Sequence, residues 1–523
     1  MLLSFLSPLH LSSTTLTTPR RFTSAAVRTQ PPPPSAPPTS LSLNPNNLNS
    51  SPPPSSLSCA LQCPHFHSCS GCTHEYDLHH PSIVDEAAEF FKRYGVPDFT
   101  FDSCRLYAWR CRAKLAVRGS SANPMIGLYE EGTHNVVDIP ECRAHHPNIN
   151  AAVELLRKGI AKLEVEPYDE DLGTGELRYV QMVVTTHSTS LPFTERYRNG
   201  KVQVTLVWNS RSETTQSSER LNSLANFLRT NGCQRSNVNI IHSVWANFQT
   251  SNSNIIFGNR WRHLVGERDF WEHVGGIDIY LTPSSFGQAN TRAFDSLLRK
   301  LHKYVPYGSA VTDLYGGAGV IGLSLAVAKK CRSVRCVEIN KESKHCFEKT
   351  VSRLPNVDSN MSWHNVDAAL EPLSWLVGSD VIVVDPPRKG LDDSLLSALQ
   401  TISSVKRKAV ASSSSPSNLK EEKRPWILRE REASVSVQGS YRPDESDVLP
   451  QTLVYISCGW DSFKKDCKQL LSNKAWLLEK AHGFNFFPGT QSIEVLAIFK
   501  RGSGSNDKKK ASKKKKPKKS SQG

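Results

Sequence analysis

The 523 residues are 38 % hydrophobic and carry a formal charge of +15, enough chain for two or three domains with cores of their own. No run of 18 apolar residues occurs, which argues against a membrane-spanning helix, and thirteen scattered cysteines are not the dense framework of a small secreted domain. The charge is uneven: residues 500–523 hold +10 and the first 60 hold +3, leaving +2 for the body, so the basic balance says little about nucleic acid.

From Met1 to His74 there is no Asp or Glu, and Arg20, Arg21 and Arg28 are the only charges in a stretch rich in Ser, Thr and Pro. Residues 1–60 therefore read as a disordered transit peptide for the chloroplast, with the mitochondrion as the alternative. A Cys-rich knot follows at 59–75. A helix is expected over Pro81–Tyr94 and another from near Pro147. Strand-like alternation marks 111–118, 126–129, 135–139, 179–186, 202–208 and 238–248. With the knot, residues 61–285 form a β-rich central domain with few helices.

From 286 to 499 the rhythm becomes alternating helix and strand: an amphipathic helix at Thr291–Tyr304, then strands at 310–314, 334–339, 380–385, 452–457 and 495–499. That pattern predicts an α/β fold with a doubly wound, mainly parallel sheet. Residues 405–450 interrupt it as a polar, disordered insertion. The Lys-rich tail, 500–523, is disordered too; it suits loose grip on phosphate backbones, a solvated tail, or a nucleolar address.

Ligands of such sheets bind at the carboxyl ends of the strands. There Asp313-Leu-Tyr-Gly-Gly-Ala-Gly319 makes a glycine turn, and Glu338 ends the next strand, where a carboxylate can accept both ribose hydroxyls of an adenosine. Gly317, Gly319 and Gly322 equally satisfy a dinucleotide pattern, so the turn alone leaves a methyl donor and a nicotinamide cofactor level. Asp385-Pro-Pro-Arg388, a stiff loop ending the fourth strand, favours the methyl donor. Cys458 directly follows the strand Thr452–Ser457, at the same edge, and Glu494 stands just before the last strand. A lone Cys is usually inert core, but one at this edge can be a nucleophile. Carbon 5 of uracil is too weak a nucleophile to attack a sulfonium methyl; a thiolate adding to carbon 6 activates it, and a carboxylate can remove the carbon-5 proton afterwards.

Over roughly residues 60–500 these motifs resemble the RNA uracil-5-methyltransferases that act on ribosomal and transfer RNA. The resemblance implies S-adenosyl-L-methionine as donor and RNA as partner, a covalent Cys–uracil adduct on Cys458, and Glu494 as proton acceptor. It places Gln288 (in Ser285-Phe-Gly-Gln-Ala-Asn290), Tyr315, Glu338, Asn365 or Asp367, and Asp385 around the donor and target base, and gives the central domain an RNA-binding role. Cys63-x5-Cys69-x2-Cys72 with a distant Cys142 resembles the ligand set of the family's [4Fe–4S] members; the spacing alone also admits zinc. The chain departs from the family in three places. Gly459-Trp460 follows the nucleophile instead of Asn-Pro, Ser492 replaces a His, and a small N-terminal RNA-binding barrel is missing. A non-catalytic RNA-binding or ribosome-assembly factor on the same fold is the alternative reading, and an amino-nitrogen methyltransferase, which needs no Cys, a third. The sequence does not fix an oligomeric state.

Overall fold

The computed structural model describes residues 60–502 except 188–190, 212–215, 234–238, 252–254, 356–359 and 413–448. Nearly all of the leader, most of the insertion and all but the first residues of the Lys-rich tail lie outside the described residues. Residues 405–412 are not loop: they continue a helix.

The first half runs through α1 (Ile83–Arg93), β1 (Thr100–Asp102), β2 (Arg112–Gly119), β3 (Pro124–Tyr129), β4 (Val136–Asp138), α2 (Pro147–Leu163), β5 (Leu177–Val184), α3 (Phe193–Arg198), β6 (Val202–Trp208), α4 (Gln216–Asn231), β7 (Ile241–Phe248) and β8 (Arg260–Gly266). Seven of these strands form one sheet in the order β4-β3-β2-β5-β6-β7-β8. Alternation puts Leu115, Val180, Leu206 and Ala246 on one face, where they meet Val153, Leu156, Leu224 and Leu228 of α2 and α4 in a closed core. Helix α4 has little signal of its own: its polar Gln216–Asn231 stretch has a weak apolar stripe, and packing against the sheet makes it a helix.

The second half runs through β9 (Phe270–Val274), β10 (Ile277–Leu281), α5 (Thr291–His302), β11 (Ala310–Leu314), α6 (Val320–Lys329), β12 (Ser333–Glu338), α7 (Ser343–Val351), β13 (Asn360–Asn365), α8 (Pro372–Leu376), β14 (Val381–Val384), α9 (Asp393–Ser412), β15 (Thr452–Ser457), α10 (Trp460–Ser472), β16 (Trp476–Phe484) and β17 (Glu494–Arg501). Its eight-stranded sheet has the order β1-β16-β17-β15-β14-β11-β12-β13, parallel except for β17, which runs against both neighbours. The residues of β11, β14 and β15 are buried throughout, as expected of strands covered on both faces. On one face lies a core containing Leu297, Leu298, Leu323 and Leu325; on the other, one containing Phe91, Leu395, Phe463 and Trp476. This is the doubly wound α/β fold.

Two segments from before residue 285 belong to this second body. Strand β1 pairs with β16, and α1 packs beside α10. The β9–β10 hairpin buries Phe270, Val274 and Ile279 in the core of α5 and α6. Three residues of strand and a two-stranded ribbon are too short to declare their sheet by alternation alone.

Candidate active site

The register of the eight-stranded sheet lines up the predicted residues along its carboxyl edge. Glu338 pairs with Asn365 across β12 and β13. Leu314 of β11 pairs with Val337 and Val384, so Tyr315 and Asp385 step off adjacent strands together. Ser457 of β15 pairs with Val495 of antiparallel β17, and one step further along that ladder sets Cys458 opposite Glu494. Cys458 is half-buried and open to the site, while Glu494 is only 4 % exposed.

The glycine turn is held from both sides. Gly317 N–H donates to Glu338 Oε2 (3.0 Å), Asn340 N–H donates to Glu338 Oε1 (2.7 Å), and Trp363 Nε1 donates to the Gly317 carbonyl (3.1 Å). Gly319 opens α6 at φ 83°, and a Cβ there would sit 2.5 Å from the Phe347 ring, so only glycine fits. Tyr315 carries the strain of a positive φ, 62°, just before the turn. Asn365 spends its amide on the carbonyls of Glu338 and Ile339 (3.0 and 2.8 Å), so its place is to hold that strand end. Two rim residues had no sequence signal beyond their hydrophobicity: Ile339 is 68 % exposed beside Glu338, and Phe286 is 78 % exposed two residues before half-buried Gln288. The segment carrying Gln288 is fixed by Asn290, whose side chain caps α5 at Ala293 N (3.0 Å) and donates to the Phe486 carbonyl (3.1 Å).

Charge in the site is lopsided. Asp313 and Asp385 are each pushed up to about 7 by burial, Asp313 further by Asp385 and Glu338. Glu494 is raised well above the carboxylate range by burial and by Asp385, and Cys458 is raised to about 12 by burial, Glu494 and Asp385. Arg388 pulls the other way on both Cys458 and Glu494. One Asp313 oxygen accepts Gly322 N–H (2.9 Å); the other has no partner. Carboxyls whose folded pKa values exceed their ordinary value near 4 hold protons that the unfolded chain has released, so folding stability must fall as pH rises from about 4 to about 7. Accordingly, Asp385→Asn should be more thermostable than the parent at pH 8 and gain little at pH 4, by calorimetry.

The nucleophile loop explains one departure from the family pattern. A Cβ on Gly459 would lie 2.5 Å from the Arg388 backbone carbonyl, and Ser462 Oγ sits 2.8 Å from that carbonyl and 2.9 Å from the carbonyl of Gly459. The Cys458 and Asp385 loops are thus clamped at a distance only glycine allows. Trp460 anchors the turn from outside: Nε1 donates to Glu86 of α1 (2.7 Å), and the ring stacks on Phe463. Gly459→Ala is expected to lower methyl transfer at least 10-fold while donor affinity, read by calorimetry, stays within about 3-fold, because a small misplacement of a reacting group is enough.

The four cysteines of the expected ligand set lie near enough for their charges to act on one another. Burial raises Cys69, Cys72 and Cys142, and these three and Cys63 repel one another's charge. Gly71 N–H donates to Cys69 Sγ (3.4 Å), Ala144 and His145 N–H groups favour the Cys142 thiolate, and Arg110 offsets the charge of Cys72 and Cys142. Yet among the described residues no three His, Cys, Asp or Glu side chains stand close enough to hold one metal ion. That holds for Cys63, Cys69, Cys72 and Cys142, so their arrangement decides nothing between an iron–sulfur cluster and zinc. The knot also grips the loop leading to Glu494. Thr73 and His74 N–H groups donate to the Gly489 carbonyl (2.8 and 2.9 Å), Gln491 bonds Ser82 Oγ (3.0 Å), and Arg110 lies over the rings of Trp109 and Phe487.

No helix among the described residues is long and apolar enough to cross a membrane. The family model for the methyltransferase small domain matches residues 286–413. An uncharacterised RNA methyltransferase of Protochlamydia amoebophila is 36 % identical over 442 residues, 84 % of this chain and 98 % of the relative. One from Geobacter sulfurreducens is 26 % identical over 461 residues, 85 % of this chain and 78 % of the relative. The solved tRNA (uracil-54, C5)-methyltransferase of Pyrococcus abyssi, in complex with S-adenosyl-L-homocysteine, is 19 % identical and overlays with a TM-score of 0.55 over 82 % of this chain and 86 % of that one, a shared fold. Matched over 84 % of its length by a relative at 36 % identity, the chain belongs to the RNA methyltransferases, on the Rossmann-like fold of the S-adenosylmethionine-dependent enzymes.

Proposed function

We propose that this chain methylates carbon 5 of a uridine in RNA, with Cys458 as covalent nucleophile and Glu494 as proton acceptor. The observation that carries the reading is their placement opposite each other on adjacent antiparallel strands, one strand from Asp385. S-adenosyl-L-methionine supplies the methyl group as an electrophile with a positively charged sulfur. A site of three carboxyls with raised pKa values and one arginine favours a cation, and Glu338, Tyr315 and Gln288 are the residues to hold the rest of the donor. Cys458 gives up its proton to water and forms an Sγ–C6 bond; the displaced π pair rests on O4 as an enolate. Carbon 5 takes the methyl group with that pair as the donor's sulfur–methyl bond breaks, its electrons going to sulfur and leaving S-adenosyl-L-homocysteine. Glu494 then removes the carbon-5 proton, the freed pair restores the C5–C6 double bond, and Cys458 leaves as thiolate. RNA tritiated at uracil carbon 5 tests this: tritium should reach water in step with methyl incorporation. Methylation without tritium release would move the reaction to another atom, as an amino-nitrogen methyltransferase requires.

The same reading gives the Cys-rich knot a [4Fe–4S] cluster. What supports this is the set of four cysteines whose charges act on one another, with amide N–H groups aimed at Cys69 and Cys142 that stabilise thiolates. Its part is structural, since methyl transfer moves no net electrons. Anaerobically purified protein should carry about four irons per chain. Cys72→Ser should lose them and lower the methylation rate through the Gly489 loop, while donor binding holds. Iron-free protein of full activity would remove the cluster from the reading.

A further inference from the structure

The face of the seven-stranded sheet opposite α2 and α4 is unlike an ordinary covered face. One register row crosses five strands as Lys114, Gln181, Thr205, Trp245 and His263, each paired with the next. Side chains at one level of a sheet share a face. Lys114 is exposed, with Nζ 4.5 Å from the centroid of the Phe257 ring, and Phe257 lies 5.0 Å from Trp261 of β8. Trp245 is half-buried between His263 (4.9 Å) and the guanidinium of Arg268 (5.9 Å). Within this row Trp245 Nε1, His263 Nε2 and Thr205 Oγ1 have no partner among the described residues, nor has Gln203 Nε2 beside it; Thr205 is fully buried and Gln203 is 2 % exposed. Polar groups left unmet under a surface are costly, and a sheet that only needed a lid would carry apolar residues there.

The row runs into the catalytic segment. Gln181 Nε2 donates to the Pro283 carbonyl (2.9 Å), and Arg112, next on β2, lies against Gly287 and pairs with Glu272 (2.7 Å). Gln288 and exposed Phe286 belong to that same segment. Interleaved cations and aromatic rings are how proteins hold single-stranded RNA: bases stack on the rings and phosphates meet the cations. The ammonium of Lys114 stands at the surface beside the like charge of Arg112. We propose that this face, from Lys114 and Phe257 to Trp245 and Trp261, is a platform for the single-stranded RNA flanking the target nucleotide, with bases on Phe257, Trp261 and Trp245 and a phosphate on Lys114. The inference deepens the RNA-methyltransferase reading but does not depend on which atom is methylated.

The test is fluorescence anisotropy of the full-length protein with a labelled single-stranded uridine-rich oligoribonucleotide over a salt series. Trp261→Ala and Phe257→Ala should each weaken binding roughly 5- to 150-fold, the range of a lost base–aromatic stack. Lys114→Ala should lower the slope of log affinity against log salt by about 1, and Lys114→Arg should restore it. Melting temperature and donor affinity should stay at parental values in all four, which separates a lost platform from a lost fold. Parental RNA affinity in both aromatic variants and an unchanged salt slope in Lys114→Ala would overturn the proposal and leave the face to a protein partner or to none. Failure here leaves the tritium-release result untouched, and the reverse also holds.

Discussion

Cys458→Ala should abolish methyl transfer, by about 10⁴-fold or more, while binding S-adenosyl-L-methionine within about 3-fold of the parent. Removing a nucleophile that forms the covalent intermediate costs nearly the whole advantage of the catalytic unit, whereas the donor-side residues Glu338 and Tyr315 stand on other strands. Two features make the result informative. The Cys458 side chain is half-buried, so truncation leaves a site open to water, not a closed cavity in the core. The thiol rests in its protonated form, pushed up to about 12 by burial, Glu494 and Asp385, so alkylation of the free protein by iodoacetamide should be slow at neutral pH and quicken as pH rises. Single-turnover methylation with radiolabelled donor, alongside calorimetry of donor binding, measures both arms. Retained methylation in Cys458→Ala would exclude the covalent route and favour chemistry on a nitrogen, which needs no thiol. Loss of donor binding along with activity would make Cys458 a structural residue.

The parts of the fold that could be read in advance were those whose residues face a covered surface on both sides. The runs at Ala310–Leu314 and Thr452–Ser457 are continuous, mostly apolar blocks and appear with those bounds. Asn360–Asn365 is an edge strand of mostly polar residues, exposed at both ends, with no clean alternation; pairing with β12 makes it a strand. Trp476–Phe484 exposes Leu477 and buries His482, whose ring hydrogen-bonds Thr100 (2.6 Å) and Tyr304 (2.5 Å), so its pattern depends on partners far along the chain. The site was legible for a different reason. Chemistry restricts which residues can end a strand beside a ligand, and Glu338, Asp385, Cys458 and Glu494 are carried to one edge by the sheet's register. What the residues could not announce was how that edge is braced. Gly459 looked like a loss relative to Asn-Pro, yet the Arg388 carbonyl leaves no room for a side chain. The grip of the Cys-rich knot on Gly489 joins residues some 400 positions apart in sequence, a contact no local pattern encodes.

Glu494→Gln should stop the reaction one step later than Cys458→Ala and leave a trace of it. Glutamine keeps the shape of a side chain 4 % exposed at the start of β17 but cannot accept the carbon-5 proton. Without that removal the methylated ring stays bonded to Cys458, because elimination of sulfur needs the electron pair that the departing proton leaves behind. RNA and protein should then migrate together on a denaturing gel, with turnover reduced about 10²- to 10⁴-fold, the usual contribution of a positioned base. The double variant Cys458→Ala/Glu494→Gln should show no shifted band, which ties the adduct to that sulfur. The raised pKa of Glu494 makes a second demand. A base held well above the carboxylate range by burial and Asp385 is a strong acceptor once ionised but is protonated at low pH. In the free enzyme the acidic limb of kcat/KM should therefore lie well to the alkaline side of a normal carboxylate, and Arg388→Ala, which removes the charge opposing that shift, should move the limb further up. A limb at the ordinary glutamate value, near 4.3, together with no adduct and parental turnover in Glu494→Gln, would hand the base role to another group, with Asp385 the nearest carboxyl to inherit it.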